Sequence, residues 1–393
     1  MRMLTTMAII AVVIALLAPA GISQERGISA TEIVLGTTMP TSGPAAFWGV
    51  PISGAMDAWF KNINDQGGIN GRKLRLVVKD DGYLPPRAVA NTRELVERDS
   101  VFALASSLGT ANVFAARDYV VESQTFWITP LAGVDIWAGF KNKKYIFATY
   151  PSYIEEGAML VTYAAQSLKA KNVAVFYQND LYGQQGLLGV KRGLAKLPGV
   201  KLGTAVSYEV TDAEVTAQAQ KMKESGADAV ILYATPRAGA LIVRDMAKLG
   251  YKPTLLSSFT LADPAMFALA GDAWNNVHLG AYFPLPGLDP KVDAVLATLS
   301  RINPALARSS FNAVAGVGFI ESFLEGIRRA GPNLTKDRVV QAMETIKNWD
   351  GEVMRAVSFG PDRHQGTNRL YMIKAENGKF VRLTDWYSYP TKF

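Results

Sequence analysis

The sequence predicts an α/β protein of two similar lobes, each with a parallel central sheet flanked by helices, and three observations predict it. Strand, turn and helix alternate along most of the chain, the pattern of parallel strands joined by crossover helices. The alternation restarts in mid-chain at NVAVFYQNDLYGQQG, so one lobe is followed by a second built on the same plan. Finally, 393 residues, 49% of them hydrophobic and 19% charged, exceed one average domain and suffice for two cores.

In chain order, EIVLGTT is a strand that ends in a Pro/Ser/Gly loop, MPTSGPAAFWG, with a helix expected from Pro51. Phe47 and Trp48 stand at that loop's tip, suited either to line a pocket or to staple the loop down. GGING turns the chain into the strand LRLVVKDDG. Asp80 and Asp81 at its end resemble a metal pair, but no third acid is near and a turn is the better reading. A helix led by proline follows over 85–98. Next come the strand VFALAS, the small-residue turn SLGT, a helix, the strand TFWIT and a second small-residue turn, PLAGV. In parallel sheets ligands sit beyond the carboxyl ends of strands, where turns and helix N-termini offer free N–H groups. Both turns belong to that edge.

After YIFATY the chain makes its first crossing through Tyr150–Tyr153. The second half supplies strands at NVAVFYQ, KLGTAVSYEV, ADAVILYAT, PTLLSS and VHLGAYFP, with helices between. Residues 289–348 read as mostly helical, with Thr335 as a cap, and a hairpin turns about Asn377-Gly378.

Arg2, the apolar run Met7–Leu17 and Ala18-Pro19-Ala20 make a secretory signal peptide. A formal charge of +7 is spread without long basic runs, which speaks for a solvated surface and against nucleic acid. The absence of cysteine excludes disulfides, thiolate metal sites, a catalytic cysteine and a lipid-bearing cysteine at the cleavage site. An exported, soluble protein of the periplasm is expected. Catalytic signals are few: there is no G-x-S-x-G elbow, and His278 and His364 lie far apart. The glycines of YGQQGLLG have the wrong spacing for a nucleotide loop and suit close helix packing better. The chain does not read as an enzyme, and no cofactor is expected.

The segments LGTTMPTSGPAAFWG, INDQGGINGRKLRLVVKDDG, SLGTANVFA, ITPLAG, YQNDLYGQQG, GADAVILYATPRAGALIVRDMAKLGYKP and SFGPDRHQGTN together resemble the periplasmic solute-binding proteins of ABC importers. The branch is the one that binds leucine, isoleucine and valine, the type I periplasmic binding proteins, and the resemblance spans essentially the whole mature chain. It implies two Rossmann-like lobes joined by three hinge crossings, which close on a ligand and dock on a membrane permease. The division it implies is a signal peptide over 1–23, a first lobe of 24–149 plus 284–357, and a second lobe of 150–283 plus 358–393. It also implies a monomer whose partners are a small solute and that permease.

By the same resemblance the ligand's carboxylate belongs to the two first-lobe turns, Leu108, Gly109 and Thr110, and Leu131, Ala132 and Gly133, with Gly133 where a hydroxyl is expected. Tyr182 matches a second-lobe tyrosine and Trp48 an aromatic near the side-chain pocket. Arg237 falls where a second-lobe aromatic is common, and it adds a positive charge to that side of the cleft, which favours an anionic ligand. Phe47, Tyr153, Phe259 and Thr260 complete the expected ligand set. The departure lies at Phe259-Thr260, where amino-acid binders place an acid against the ammonium group. A buried cation without a partner is costly. Asp263 is the next acid and stands before a proline, as a cap or as the missing partner. The expected solute is therefore an aromatic or aliphatic carboxylate, with a branched-chain amino acid as the alternative. Two other readings are a sensor of the same fold acting on a regulator and a nucleotide-dependent two-domain enzyme.

Overall fold

A computed structural model describes residues 25–134 and 143–391; the expected signal peptide lies outside them. The first sheet is parallel throughout, in the order β2-β1-β3-β4-β5. Its strands are β1 (Glu32–Met39), β2 (Lys73–Asp80), β3 (Ala103–Ala105), β4 (Phe126–Ile128) and β5 (Ile146–Phe147). Helices α1 (Ala46–Asp65), α2 (Pro85–Glu97) and α3 (Thr110–Glu122) connect them.

The second sheet holds β6 (Asn172–Gln178), β7 (Lys201–Tyr208), β8 (Ala229–Tyr233), β9 (Thr254–Ser257) and β10 (His278–Ala281). These run parallel in the order β7-β6-β8-β9-β10, which repeats the first sheet's order of second, first, third, fourth and fifth strand. The hairpin β11 (Arg369–Glu376) and β12 (Lys379–Arg382) adds antiparallel strands to its edge. Asn377 and Gly378 both take positive φ, 51° and 80°, as a tight two-residue hairpin turn requires. Helices α4 (Tyr153–Gln166), α5 (Leu181–Leu194), α6 (Thr216–Glu224), α7 (Pro236–Lys248) and the short α8 (Ala265–Ala270) flank this sheet.

Three more helices, α9 (Pro290–Ile302), α10 (Ser310–Ala330) and α11 (Lys336–Glu344), follow β10 in sequence yet return to the first lobe. There α10 lies on α1 and β4, and Phe323 packs its ring on Phe102 and Phe126, with centroids 6.1 and 5.4 Å apart. Thr335 caps α11 as expected, its side chain accepting from Arg338 N. No helix among the described residues is long and apolar enough to cross a membrane.

Helix α1 starts at Ala46, five residues before the expected Pro51, which sits inside it. A proline there removes one i→i−4 hydrogen bond. The early start is set by a 3-10 turn over Gly43–Ala45 and by the carboxylate of Asp80. Burial opposes ionisation of that carboxylate, but the Ser42 hydroxyl donates to it, as do Thr41 N, Ser42 N and Gly82 N at 2.8, 3.1 and 3.1 Å, and these bonds hold its pKa down to about 2. Asp81 accepts from the Thr38 hydroxyl and Tyr83 N, both at 2.8 Å. The acidic pair is thus a turn that pins the β1–α1 loop, and it leaves Trp48 on the first turn of α1 with its ring buried.

The glycines of YGQQGLLG serve close packing. A Cβ on Gly186 would stand 2.4 Å from the Tyr233 ring, and one on Gly189 would stand 2.3 Å from the Ile154 carbonyl oxygen on α4.

Candidate functional site

Between the lobes lies a cavity of about 490 Å³. In the first lobe it opens where the strand order reverses, between β1 and β3, the place where open parallel sheets bind ligands. Trp48, which follows β1, and Leu108, Gly109 and Thr110, which follow β3, line it there. The two small-residue turns are zipped together: Leu108 and Leu131 form an isolated parallel bridge, and Leu131 N donates to Ser107 O at 2.9 Å. Gly109 takes φ +107°, and a Cβ on it would meet the Tyr83 ring at 2.9 Å. That backbone turn starts α3 at Thr110, so the helix's first turn, where backbone N–H groups lack intrahelical partners, borders the cavity.

The rest of the wall is mostly rings. Tyr153 packs edge-on against Tyr182 at 4.8 Å and stacks on Phe259 at 5.8 Å; Phe259 meets Tyr282 at 4.9 Å, and Tyr282 meets Phe311 at 6.1 Å. Burial pushes the phenols of Tyr83, Tyr150, Tyr153, Tyr182 and Tyr282 above their ordinary pKa, so each remains a neutral hydroxyl. Among the described residues the lining contains no Asp, Glu, Lys, Arg or His.

Of the thirteen residues expected at the site, nine line this cavity: Trp48, Leu108, Gly109, Thr110, Leu131, Tyr153, Tyr182, Phe259 and Thr260. Four do not. Phe47 is half-buried against the core one position away from Trp48, on a different side of α1. Ala132 and Gly133 are buried behind the turn. Gly133 O accepts from Tyr153 N at 2.8 Å, and a Cβ there would meet the Pro151 carbonyl oxygen at 2.4 Å. This close approach explains why a hydroxyl residue is missing at 133.

Arg237 corrects the expectation of a cation in the cleft. It is exposed, and its guanidinium reaches Asp212 O and Ala213 O at 3.4 Å each. The edge beyond β8 is already filled, since the Tyr208 phenol accepts from Thr235 N at 2.6 Å and bonds Gln178 Oε1 at 3.2 Å.

The sequence reading missed Ile52, Tyr83, Tyr150, Tyr282, Phe311, Asn312, Ala315 and Phe319. Tyr282 directly follows β10 and could have been found by the strand-end rule applied to the others. The residues of α10 gave no such signal, because a helix buried almost all round hides which face meets a cavity.

Two acids stand behind the wall. Asp263 does not line the cavity. Its Oδ2 accepts from Ser309 Oγ at 2.8 Å, and from Asn312 N and Nδ2 at 3.0 Å each; its Oδ1 accepts from Ala265 N at 2.9 Å. Glu156 is fully buried, and that burial raises its pKa to about 8 even though Phe259 N and Ser258 Oγ donate to it at 2.5 and 2.8 Å. It fixes the strand-end segment that presents Phe259 and Thr260.

The lobes are drawn together over the cavity. Trp48 Nε1 donates to Thr260 O at 2.8 Å, and Gln178 Nε2 donates to the Tyr83 hydroxyl at 3.4 Å. Thr260 Oγ1 in turn bonds the Tyr182 hydroxyl at 2.7 Å.

Comparison with known proteins agrees with this architecture. The family model described as periplasmic binding protein matches residues 32–379. The Leu/Ile/Val-binding protein homolog 3 of Brucella melitensis is 27% identical over 358 residues, covering 90% of this chain and 94% of the relative. A substrate-binding periplasmic protein from Ralstonia solanacearum superposes with TM-score 0.81 at 27% identity, covering 90% of this chain and 100% of the other. A branched-chain amino acid ABC transporter protein from Thermus thermophilus with bound valine gives TM-score 0.82 at 21% identity, covering 92% and 98%. With two parallel-sheet lobes closed over a cleft at their strand ends, the chain belongs to the periplasmic binding protein family and has its type I fold.

Proposed function

We propose that the protein is an extracytoplasmic solute-binding protein, not an enzyme, that captures a small carboxylate with an apolar body and delivers it to the membrane permease of an ABC importer. One observation carries the choice of solute: the cavity is lined by hydroxyls, a helix N-terminus, apolar side chains, rings and one amide, with no Asp, Glu, Lys, Arg or His among the described residues. A carboxylate is served by the N–H groups of α3 and by the Thr110 hydroxyl. An ammonium group would be buried without a counter-charge, at a cost of several kcal/mol. The signal-like N-terminus and the family's role support delivery from the periplasm.

A branched-chain amino acid is the second reading. It is favoured by the name of the Brucella relative, and its ammonium would have to rely on neutral oxygens.

The test is thermal unfolding of protein freed of ligand by denaturation and refolding, against benzoate-type and aliphatic carboxylates, leucine and valine. A ligand at 100 times its Kd adds about 2.7 kcal/mol to stability. Saturable shifts with carboxylates alone are expected. Shifts with leucine or valine and none with carboxylates would overturn the reading.

A further inference from the structure

We propose that Asn312 is a specificity-determining residue of the cleft, and that it reads a hydroxyl on the ligand at the end opposite the carboxylate. The inference rests on the carboxylate reading and narrows the solute to a hydroxy-substituted carboxylate. Asn312 lies on the first turn of α10, is 3% exposed and lines the cavity. Its Nδ2 donates to Asp263 Oδ2 at 3.0 Å and to Ser309 Oγ at 3.1 Å. Asp263 Oδ2 also accepts from Asn312 N, which can only donate, and from Ser309 Oγ, so it faces the amide nitrogen, and Oδ1 is the polar atom left for the cavity. No described residue donates to that oxygen.

Asp263 belongs to the β9–β10 connection of the second lobe, whereas α10 packs in the first. The closed arrangement therefore sets the amide's direction, with Asp263 as its positioning residue. Asn312 and Thr110 stand on the first turns of different helices, α10 and α3, and the rings of Tyr153, Phe259, Tyr282 and Phe311, the neighbour of Asn312, follow one another at 5.8, 4.9 and 6.1 Å. An acceptor held among rings is left unpaired by a ligand that lacks a donor there, and that difference is what discriminates.

The experiment measures Kd by calorimetry for three matched pairs: 4-hydroxybenzoate and benzoate, 6-hydroxyhexanoate and hexanoate, and the uncharged 4-hydroxybenzamide and benzamide. Wild-type protein is compared with Asn312→Leu and Asp263→Asn. The hydroxyl member of at least one carboxylate pair is expected to bind the wild type tenfold or more tightly than its partner. That ratio should fall to near one in Asn312→Leu and below about threefold in Asp263→Asn, where the amide is free to turn. Because the readout is a ratio within one protein, a general loss of affinity or stability leaves it interpretable. Carboxylates that bind without a hydroxyl preference, or a preference that survives both substitutions, would overturn the role of Asn312 and leave the carboxylate reading standing. A preference confined to the uncharged pair would uphold Asn312 and overturn the carboxylate. Failure of all six probes on the wild type would overturn both.

Discussion

In the first lobe, side chains of α1 and α10 line the cavity beside residues from the strand ends, among them those on either side of the order reversal, β1 and β3. The turn after β3 offers backbone and hydroxyl groups. The second lobe has the same strand order, yet the edge beyond its β8 is filled by Tyr208 and Thr235 from within, and Arg237 is turned out to solvent. Its contribution comes instead from β6, β9 and β10, as the rings of Tyr182, Phe259 and Tyr282. The first lobe thus supplies the small-residue turns together with the rings of α10, and the second lobe a wall of rings that carries the Thr260 and Tyr182 hydroxyls. The same topology fixes where a site can be, but packing at each strand end decides which ends are open.

Four substitutions would break or sharpen this contrast. The largest effect is expected from Gly133→Val, whose side chain has no room beside Pro151 O and the Tyr153 ring. Calorimetry should show binding weakened more than 100-fold, together with a lower Tm. Trp48→Ala removes a wall of the cavity and the bond to Thr260 O, so a 10- to 100-fold loss of affinity, about 1.4–2.7 kcal/mol, is expected in the same assay.

Glu156→Gln tests the support of the second-lobe wall through pH. With its pKa raised from 4.5 to about 8, Glu156 keeps a proton in the folded protein that the unfolded chain releases. Its stabilising contribution is full below about pH 4.5 and is lost as pH rises through about 8. The slope between is at most about 1.4 kcal/mol per pH unit. Denaturant unfolding at pH 5, 6.5 and 8 should show a flatter decline in the glutamine variant. A residual decline of the same sign is expected from Glu321, whose pKa burial raises to about 7. Arg237→Ala should leave affinity unchanged within twofold. A larger loss for carboxylates would return a cation to the cleft.

The first-lobe half of the site was legible in the sequence because its signals are local. Small residues and a glycine between a short strand and a helix specify a turn whose N–H groups face outward, whatever surrounds it. The ring-lined half was legible only in part. Phe259 and Tyr182 stand at strand ends, but Phe311 and Phe319 lie on a helix that is apolar on nearly every face, where a ring in a cleft and a ring in a core have the same sequence signature. Arg237 misled because its position follows a strand end that tertiary packing had already occupied. Pro51 misled because proline usually marks a helix start, and the bonds from Asp80 that moved the start upstream join residues distant in sequence.

The return of α10 to the first lobe bears on how the chain acquires its structure in time. The strands of the first sheet are complete by Phe147, yet the helix carrying Phe323 against Phe102 and Phe126 is synthesised only after the five parallel strands of the second sheet. Until then an aromatic face of the first sheet is uncovered, which exposes it to misassociation. The second lobe's parallel strands and their helices form one unbroken stretch, and their contacts are nearer in sequence. The expected order of assembly is second lobe first, with α10 closing the first lobe late through long-range contacts; a refolding rate for Phe323→Ala equal to that of the wild type at matched stability would agree with such a late contact.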